Sequence, residues 1–203
     1  MSIDRRDFIK LAGLFGLGCA MPFTMARAAD KPLVVGFIYV GARDDFGYNQ
    51  SHAQAAAIIK KLPNVKVIEE ENVPETVAVQ KTMEAMIRQD GAQLIFPTSF
   101  GYFDPHVVKM AKKYPDIRFA HCGGLWQEGK DPKNAGSFFG YIDEGQYLNG
   151  IVAGHMSQSK KLGFIAAKPV PQVLRNLNAF TLGARRVDPT ITVTVIFTGD
   201  WSL

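Results

Sequence analysis

Leu33 to Val40 reads LVVGFIYV, an apolar run of β-branched and aromatic residues with no charge in it. A strand with a single buried face alternates apolar and polar residues. A run without alternation belongs to a strand covered on both faces, as in a parallel sheet. The rest of the chain must therefore supply layers on either side of it.

The following sequence has the rhythm for that. The spacing predicts a helix over 50–61, a strand over 65–70 (VKVIEE), and a helix over 75–89 with Val79, Met83, Met86 and Ile87 at helical spacing. A strand over 93–97, a helix over 104–113 and a strand over 117–121 repeat the pattern, and Asp104 before Pro105 reads as a helix cap. Strands alternating with helices at this spacing predict a doubly wound, mostly parallel α/β sheet. A short strand over 137–140 and a longer helix over 144–157 follow, and a new cycle begins with strand 162–167, helix 172–186 and strand 191–197. One strand, one helix and one strand cannot bury both faces of a sheet. The expected organisation is an N-terminal α/β lobe over 29–160 and the unfinished start of a second over 161–203.

Residues 1–28 read as an address, to be set aside before the fold. Arg5-Arg6 stands ahead of an uncharged stretch from Leu11 to Met25, and Ala26-Arg27-Ala28 offers a small-residue cleavage site. This order is that of an export signal of the twin-arginine type. It implies a periplasmic protein, with a lipid anchor through Cys19 as the rival reading. The glycines from Gly13 to Gly18 follow no strand and are not a dinucleotide fingerprint. Removing the signal lowers the formal charge from +4 to +2, which leaves no electrostatic footprint for nucleic acid. Of the two cysteines only Cys122 would remain, so the fold must stand on its core.

Ligands of open α/β sheets sit beyond the carboxyl ends of the strands. Three loops at such ends carry unusual chemistry. The first holds Asp45, Phe46, Tyr48 and Asn49, the second Ser99, Phe100 and Tyr102, and the third Tyr141 and Glu144. Aromatic faces beside acids, amides and hydroxyls suit a flat ring with a polar edge. Each loop also has a plainer reading: aromatics that cap the core, Asp45 or Asn49 as helix caps, and Glu144 as a first-turn acid.

Enzyme chemistry finds little support. The histidines show no zinc-binding spacing, and neither a nucleophile elbow nor a phosphate loop is present. His121 and Cys122 are neighbours on a strand and point to opposite faces, so they do not form a base-nucleophile pair. No catalytic residue, cofactor or metal is expected.

Together KPLVVGFIYVG, DDFGYNQSH, ENVPE, LIFPTSFGYFDP, FFGYIDEGQYLNGIVAG and NAFTLGARRVDP resemble the basic membrane protein family of ABC-importer substrate-binding proteins, in its purine- and nucleoside-binding branch. The resemblance runs from Lys31 to Trp201. It implies a type I periplasmic-binding-protein fold that closes like a hinge on a purine-like small molecule and serves a membrane permease. Carried over by position, Tyr48, with Phe46 beside it, and Trp201 would stack the ring, while Asp45, Asn49, Ser99, Tyr102, Glu144 and Asn178 would supply polar contacts. Family members are far longer, so the chain is expected to be an N-terminal fragment presenting half a cleft, with weak ligand binding or none. An exported nucleoside-acting enzyme and a sensor of similar fold are the competing readings.

Overall fold

A computed structural model describes residues 31–201; the export-signal reading lies outside the described residues. Strand β1 (Leu33–Ile38) is flanked in a five-stranded sheet by β2 (Val65–Glu70) and β3 (Leu94–Pro97), with β4 (Arg118–Cys122) and β5 (Ala135–Phe138) beyond β3. Every pairing is parallel. The order β2-β1-β3-β4-β5 reverses direction at β1, which puts the topological switch point between β1 and β3.

The uninterrupted apolar run is explained by what covers it. Val35, Phe37 and Tyr39 face α1 (Tyr48–Ile59), packing with Ala53, Ala56 and Phe96. Val34 and Ile38 face the other way, into a core built from Val79, Met83 and Met86 of α2 (Val77–Arg88) and Met110 of α3 (Val108–Lys113). Thr76 caps α2, its hydroxyl accepting from the Ala78 N–H at 3.2 Å. Most elements fall within a residue or two of their expected limits.

The region before α3 departs from expectation. Residues 100–107 wind through a 3-10 turn (Phe100–Tyr102) and a wider turn (Phe103–Val107), and α3 begins only at Val108. Asp104 has extended backbone angles (φ −117°, ψ 123°) and caps no helix. Contacts from another segment explain the delay: Tyr102 donates its hydroxyl to the Val73 carbonyl, and the Gly101 N–H donates to Glu75 at 2.7 Å.

The second sheet has β6 (Lys161–Ala166) and β7 (Thr192–Phe197), again parallel. The long helix α4 (Ile142–Met156), expected to close the first lobe, packs instead along α5 (Pro171–Val187), which crosses between β6 and β7. The reason lies in its small residues. A Cβ on Gly150 or Gly183 would run into the backbone of the facing helix, at Phe180 and Tyr147 respectively, and one on Gly154 would stand 2.9 Å from the Ala184 carbonyl oxygen. The helices therefore meet backbone to backbone, and α4 stands with the second half of the chain.

This crossing makes a paired test. Alanine normally stabilises a helix by about 1 kcal/mol over glycine. At Gly183 the added methyl overpacks the contact, and Gly183→Ala is expected to cost about 1–3 kcal/mol, or several degrees in Tm. Gly145→Ala, on α4 with open space around the added carbon, should raise Tm slightly. Equal behaviour of the two in thermal unfolding would refute the backbone-to-backbone crossing.

Candidate functional site

The loops at the carboxyl ends of both sheets converge on a cavity of about 190 Å³. One wall comes from Tyr48 and Asn49 beyond β1, Ser99 and Phe100 beyond β3, and Cys122 at the end of β4. The opposite wall comes from Phe139 beyond β5, Gln172 and Asn176 in the first turns of α5, and Trp201 beyond β7. Both lobes contribute to this cavity, the second through the two strands and the crossing helix that the described residues hold of it.

Asp45 organises the first wall. Its carboxylate accepts from the backbone N–H groups of Gly47 (2.9 Å), Asn49 (3.1 Å) and Gln50 (3.0 Å), which are left without partners at the start of α1. The turn requires Phe46 at φ +55°, a left-handed conformation, and leaves its ring 94% exposed outside the cavity. Burial opposes ionisation of Asp45, but the N–H groups of Gln50, Asn49 and Gly47 outweigh it and hold the carboxyl below its ordinary value.

The same carboxylate accepts from the side-chain amide nitrogen of Asn49 at 2.9 Å. That bond fixes which way the amide faces. Asn49 is only 4% exposed, and its Oδ1 has no hydrogen-bond partner among the described residues. Across the cavity Gln172 Oε1, Asn176 Oδ1 and the Trp201 indole N–H are likewise buried and unpartnered. Gln172 is oriented too, since its amide nitrogen donates to the Gly123 carbonyl. No lysine or arginine lines the cavity among the described residues.

Tyr48 stands in the first turn of α1, two residues earlier than the helix was expected to begin. Its hydroxyl donates to the Thr98 carbonyl at 2.6 Å, and its ring meets His52 edge to face at 4.7 Å. Burial, then the neighbouring Cys122 and Glu75, push the phenol above its ordinary pKa. Burial also raises the Cys122 thiol, against the opposing effect of the Tyr48 hydroxyl beside it, so at neutral pH the sulfur is a protonated wall rather than a nucleophile.

His121 turns away from this wall. It is fully buried, with Nε2 2.9 Å from the Ser99 carbonyl and Nδ1 3.0 Å from Ser137 Oγ. A carbonyl only accepts, so Nε2 carries the proton and Nδ1 accepts from the serine hydroxyl, which in turn accepts from the Leu125 N–H. The neutral ring is fully satisfied and holds the Ser99 loop in place.

Of the residues expected from sequence, Asp45, Tyr48, Asn49, Ser99, Phe100 and Trp201 come together at the cavity. Tyr102 does not: it is fully buried beneath the loop, its hydroxyl taken by Val73. Tyr141 (76% exposed), Glu144 and Asn178 are surface residues outside the lining. For Asn178 the helix phase explains the miss, because Gln172 and Asn176, four residues apart, share the face of α5 that meets the cavity. Those two, Cys122 and Phe139 escaped sequence reasoning; two amides at helical spacing just after a strand were the available signal.

Two α/β units with a cavity between the carboxyl edges of their parallel strands define a type I periplasmic-binding-protein fold. The chain belongs to the family of PnrA-like ABC transporter substrate-binding proteins (Bmp), whose family model matches residues 33–202. It is 39% identical over 178 residues to a purine-binding protein of Brucella abortus (strain 2308), covering 87% of this chain and 49% of that protein. It is 31% identical over 165 residues to a putative ABC transporter glucose-binding protein of Haloferax volcanii, covering 81% of this chain and 41% of the relative. The chain thus spans about half the length, or less, of these curated relatives. A solved solute-binding protein of Aeropyrum pernix K1 superposes with a TM-score of 0.68 at 21% identity, over 83% of this chain and 48% of that one, a likeness that shows the fold alone. The family consists of substrate-binding proteins, not enzymes.

The buried histidine gives a pH prediction. Burial depresses the His121 pKa from 6.5 to about 4, outweighing the hydrogen bonds to the Ser99 loop that favour the cation. The unfolded chain therefore binds the proton first. Stability is fully present above pH 6.5, falls as the pH drops towards 4, and levels off below that for this group, a loss of about 3 kcal/mol at ~1.4 kcal/mol per pH unit. His52 and His106, also depressed by burial, act with the same sign. Denaturant unfolding from pH 7.5 to 4 checks this; a flat profile above pH 5 would mean that the His121 ring protonates freely in the fold.

Proposed function

We propose that the cavity takes a neutral purine base or purine nucleoside, and that the protein delivers it, outside the cytoplasm, to the permease of an ABC importer. One observation carries the reading: three amide oxygens, those of Asn49 and Gln172 oriented by their own nitrogens, and an indole N–H, all buried and unpartnered among the described residues, surround a space walled by Tyr48, Phe100, Phe139 and Trp201. A ligand that satisfies them needs at least two donors and an acceptor at its edge and a flat apolar face. Purines have both. The Brucella relative, a purine-binding protein, points the same way. No helix among the described residues is long and apolar enough to cross a membrane, and the family works outside the cytoplasm.

The polar groups also set a limit on charge. Nothing cationic among the described residues lines the cavity to meet a phosphate, and the Asp45 carboxylate stands at its edge. Burying an unpaired phosphate would cost several kcal/mol.

Thermal unfolding of the full chain with adenine, guanosine, riboflavin, AMP and glucose tests the proposal. Adenine or guanosine should raise Tm, by the equivalent of about 2.7 kcal/mol at a hundredfold excess over Kd. AMP should bind at least about tenfold more weakly, as the desolvation cost of an unmatched charge requires. Asn49→Leu should weaken purine binding by roughly tenfold or more, because a ligand N–H loses its buried acceptor. A rise with glucose and none with either purine would overturn the reading in favour of a sugar.

A further inference from the structure

Behind the cavity the two lobes share one carboxylate. Glu75 lies in the loop between β2 and α2, and Lys168 in the loop after β6. Glu75 Oε1 accepts from the Ser99 hydroxyl at 2.6 Å and from the Gly101 N–H at 2.7 Å. Its other oxygen, Oε2, accepts from Lys168 Nζ at 3.1 Å. The pair is well shielded, with side-chain exposures of 17% for Glu75 and 30% for Lys168. The same ammonium lies over the Trp201 ring, 5.1 Å from its centroid.

Glu75 and Lys168 do not line the cavity, whereas the groups they hold, Ser99 and Trp201, do. We propose that Glu75 is the positioning residue of the ligand site: it fixes the Ser99 loop directly and, through Lys168, sets Trp201 as the facing aromatic wall. The proposal rests on the reading of this cavity as the ligand site.

Three features support a positioning role over a surface ion pair. The two oxygens are divided between lobes, so the carboxylate is the link itself. Each is satisfied by a donor from a different strand-end loop, so displacing either loop breaks a shielded, charge-assisted bond. Burial alone would favour the neutral acid, yet the bonds from Ser99, Gly101 and Lys168, with the Trp201 indole close by, hold the Glu75 pKa below its ordinary value. The indole nitrogen lies near the Glu75 carboxylate without completing a hydrogen bond among the described residues. Its placement therefore depends on Glu75 in two ways, through that carboxylate and through the ammonium stacked on the ring.

The test reads Trp201 in the full chain without ligand, in a Trp126→Phe background that leaves it as the single tryptophan. Glu75→Gln keeps an acceptor for Ser99 and Gly101 but removes the charge that holds Lys168. Lys168→Met removes the ammonium, and Lys168→Arg keeps both the ion pair and the stacking. Glu75→Gln and Lys168→Met should each red-shift Trp201 emission and raise its acrylamide quenching constant at least twofold. The double variant should do no more than either single one, and Lys168→Arg should restore the parent spectrum.

Adenine is the second readout. Glu75→Gln should weaken its binding about tenfold, with Lys168→Arg close to the parent. Unchanged Trp201 emission and quenching in both neutralising variants would overturn the proposal, as would a change with Lys168→Met and none with Glu75→Gln. Should Glu75→Gln fail to fold, Lys168→Met against Lys168→Arg decides by the same spectra. If the parent chain binds no purine, the functional reading falls while the ligand-free spectra still decide the positioning role.

Discussion

Everything at the site depends on a constraint set by the first apolar run: β1 is buried on both faces, so its neighbours must run parallel and return through helices. In a parallel sheet every strand-to-helix loop leaves from the same edge. The loops carrying Tyr48, Ser99 and Cys122 are distant in sequence yet become neighbours for that reason alone. The second sheet repeats the rule and brings Gln172 and Trp201 to face them. The cavity is a consequence of strand direction before it is a consequence of any side chain.

Much of this was legible in the sequence, because elements with strong periodicity depend on local residues. The strands and the helices α1, α2, α4 and α5 lie close to their expected positions, and the aromatic, acid and amide loop after β1 was readable as a wall. What failed depends on contacts between segments. Tyr102 looked like a ligand contact, being an aromatic hydroxyl in a strand-end loop, but Val73 takes its hydroxyl. Asp104-Pro105 looked like a helix start, but bonds from Gly101 and Tyr102 to residues 73–75 delay the helix. Gln172 and Asn176 looked like any polar helix face, since sequence does not say that a second loop cluster stands opposite. The glycines of α4, four residues apart, announced a close neighbour without naming it, and the neighbour is α5.

The chemistry of the site divides its polar groups into those already used and those left over. Asp45, in the lining, and Glu75, behind it, are saturated by backbone N–H groups, a hydroxyl and an ammonium, and both ionise more readily than free carboxyls. Their role is to orient other groups. The groups left over are neutral amides and an indole, which bind by hydrogen bonding and shape and offer nothing to a net charge. The saturated acids and the protonated thiol leave little reactive chemistry in the wall, as the proposed function asks.

The aromatic walls are held differently. Tyr48 is tethered at its far end by the bond to the Thr98 carbonyl, so its ring is already placed before any ligand arrives. Trp201 completes no such bond through its own polar atom among the described residues and is held at its face, by the ammonium of Lys168. A ligand settling against Tyr48 orders almost nothing further, and the entropy of fixing that side chain has been lost in folding rather than in association. The entropic cost of recognition is therefore lowest at the wall that carries Tyr48, and at the facing wall it depends on how firmly the Lys168 ammonium holds the Trp201 ring.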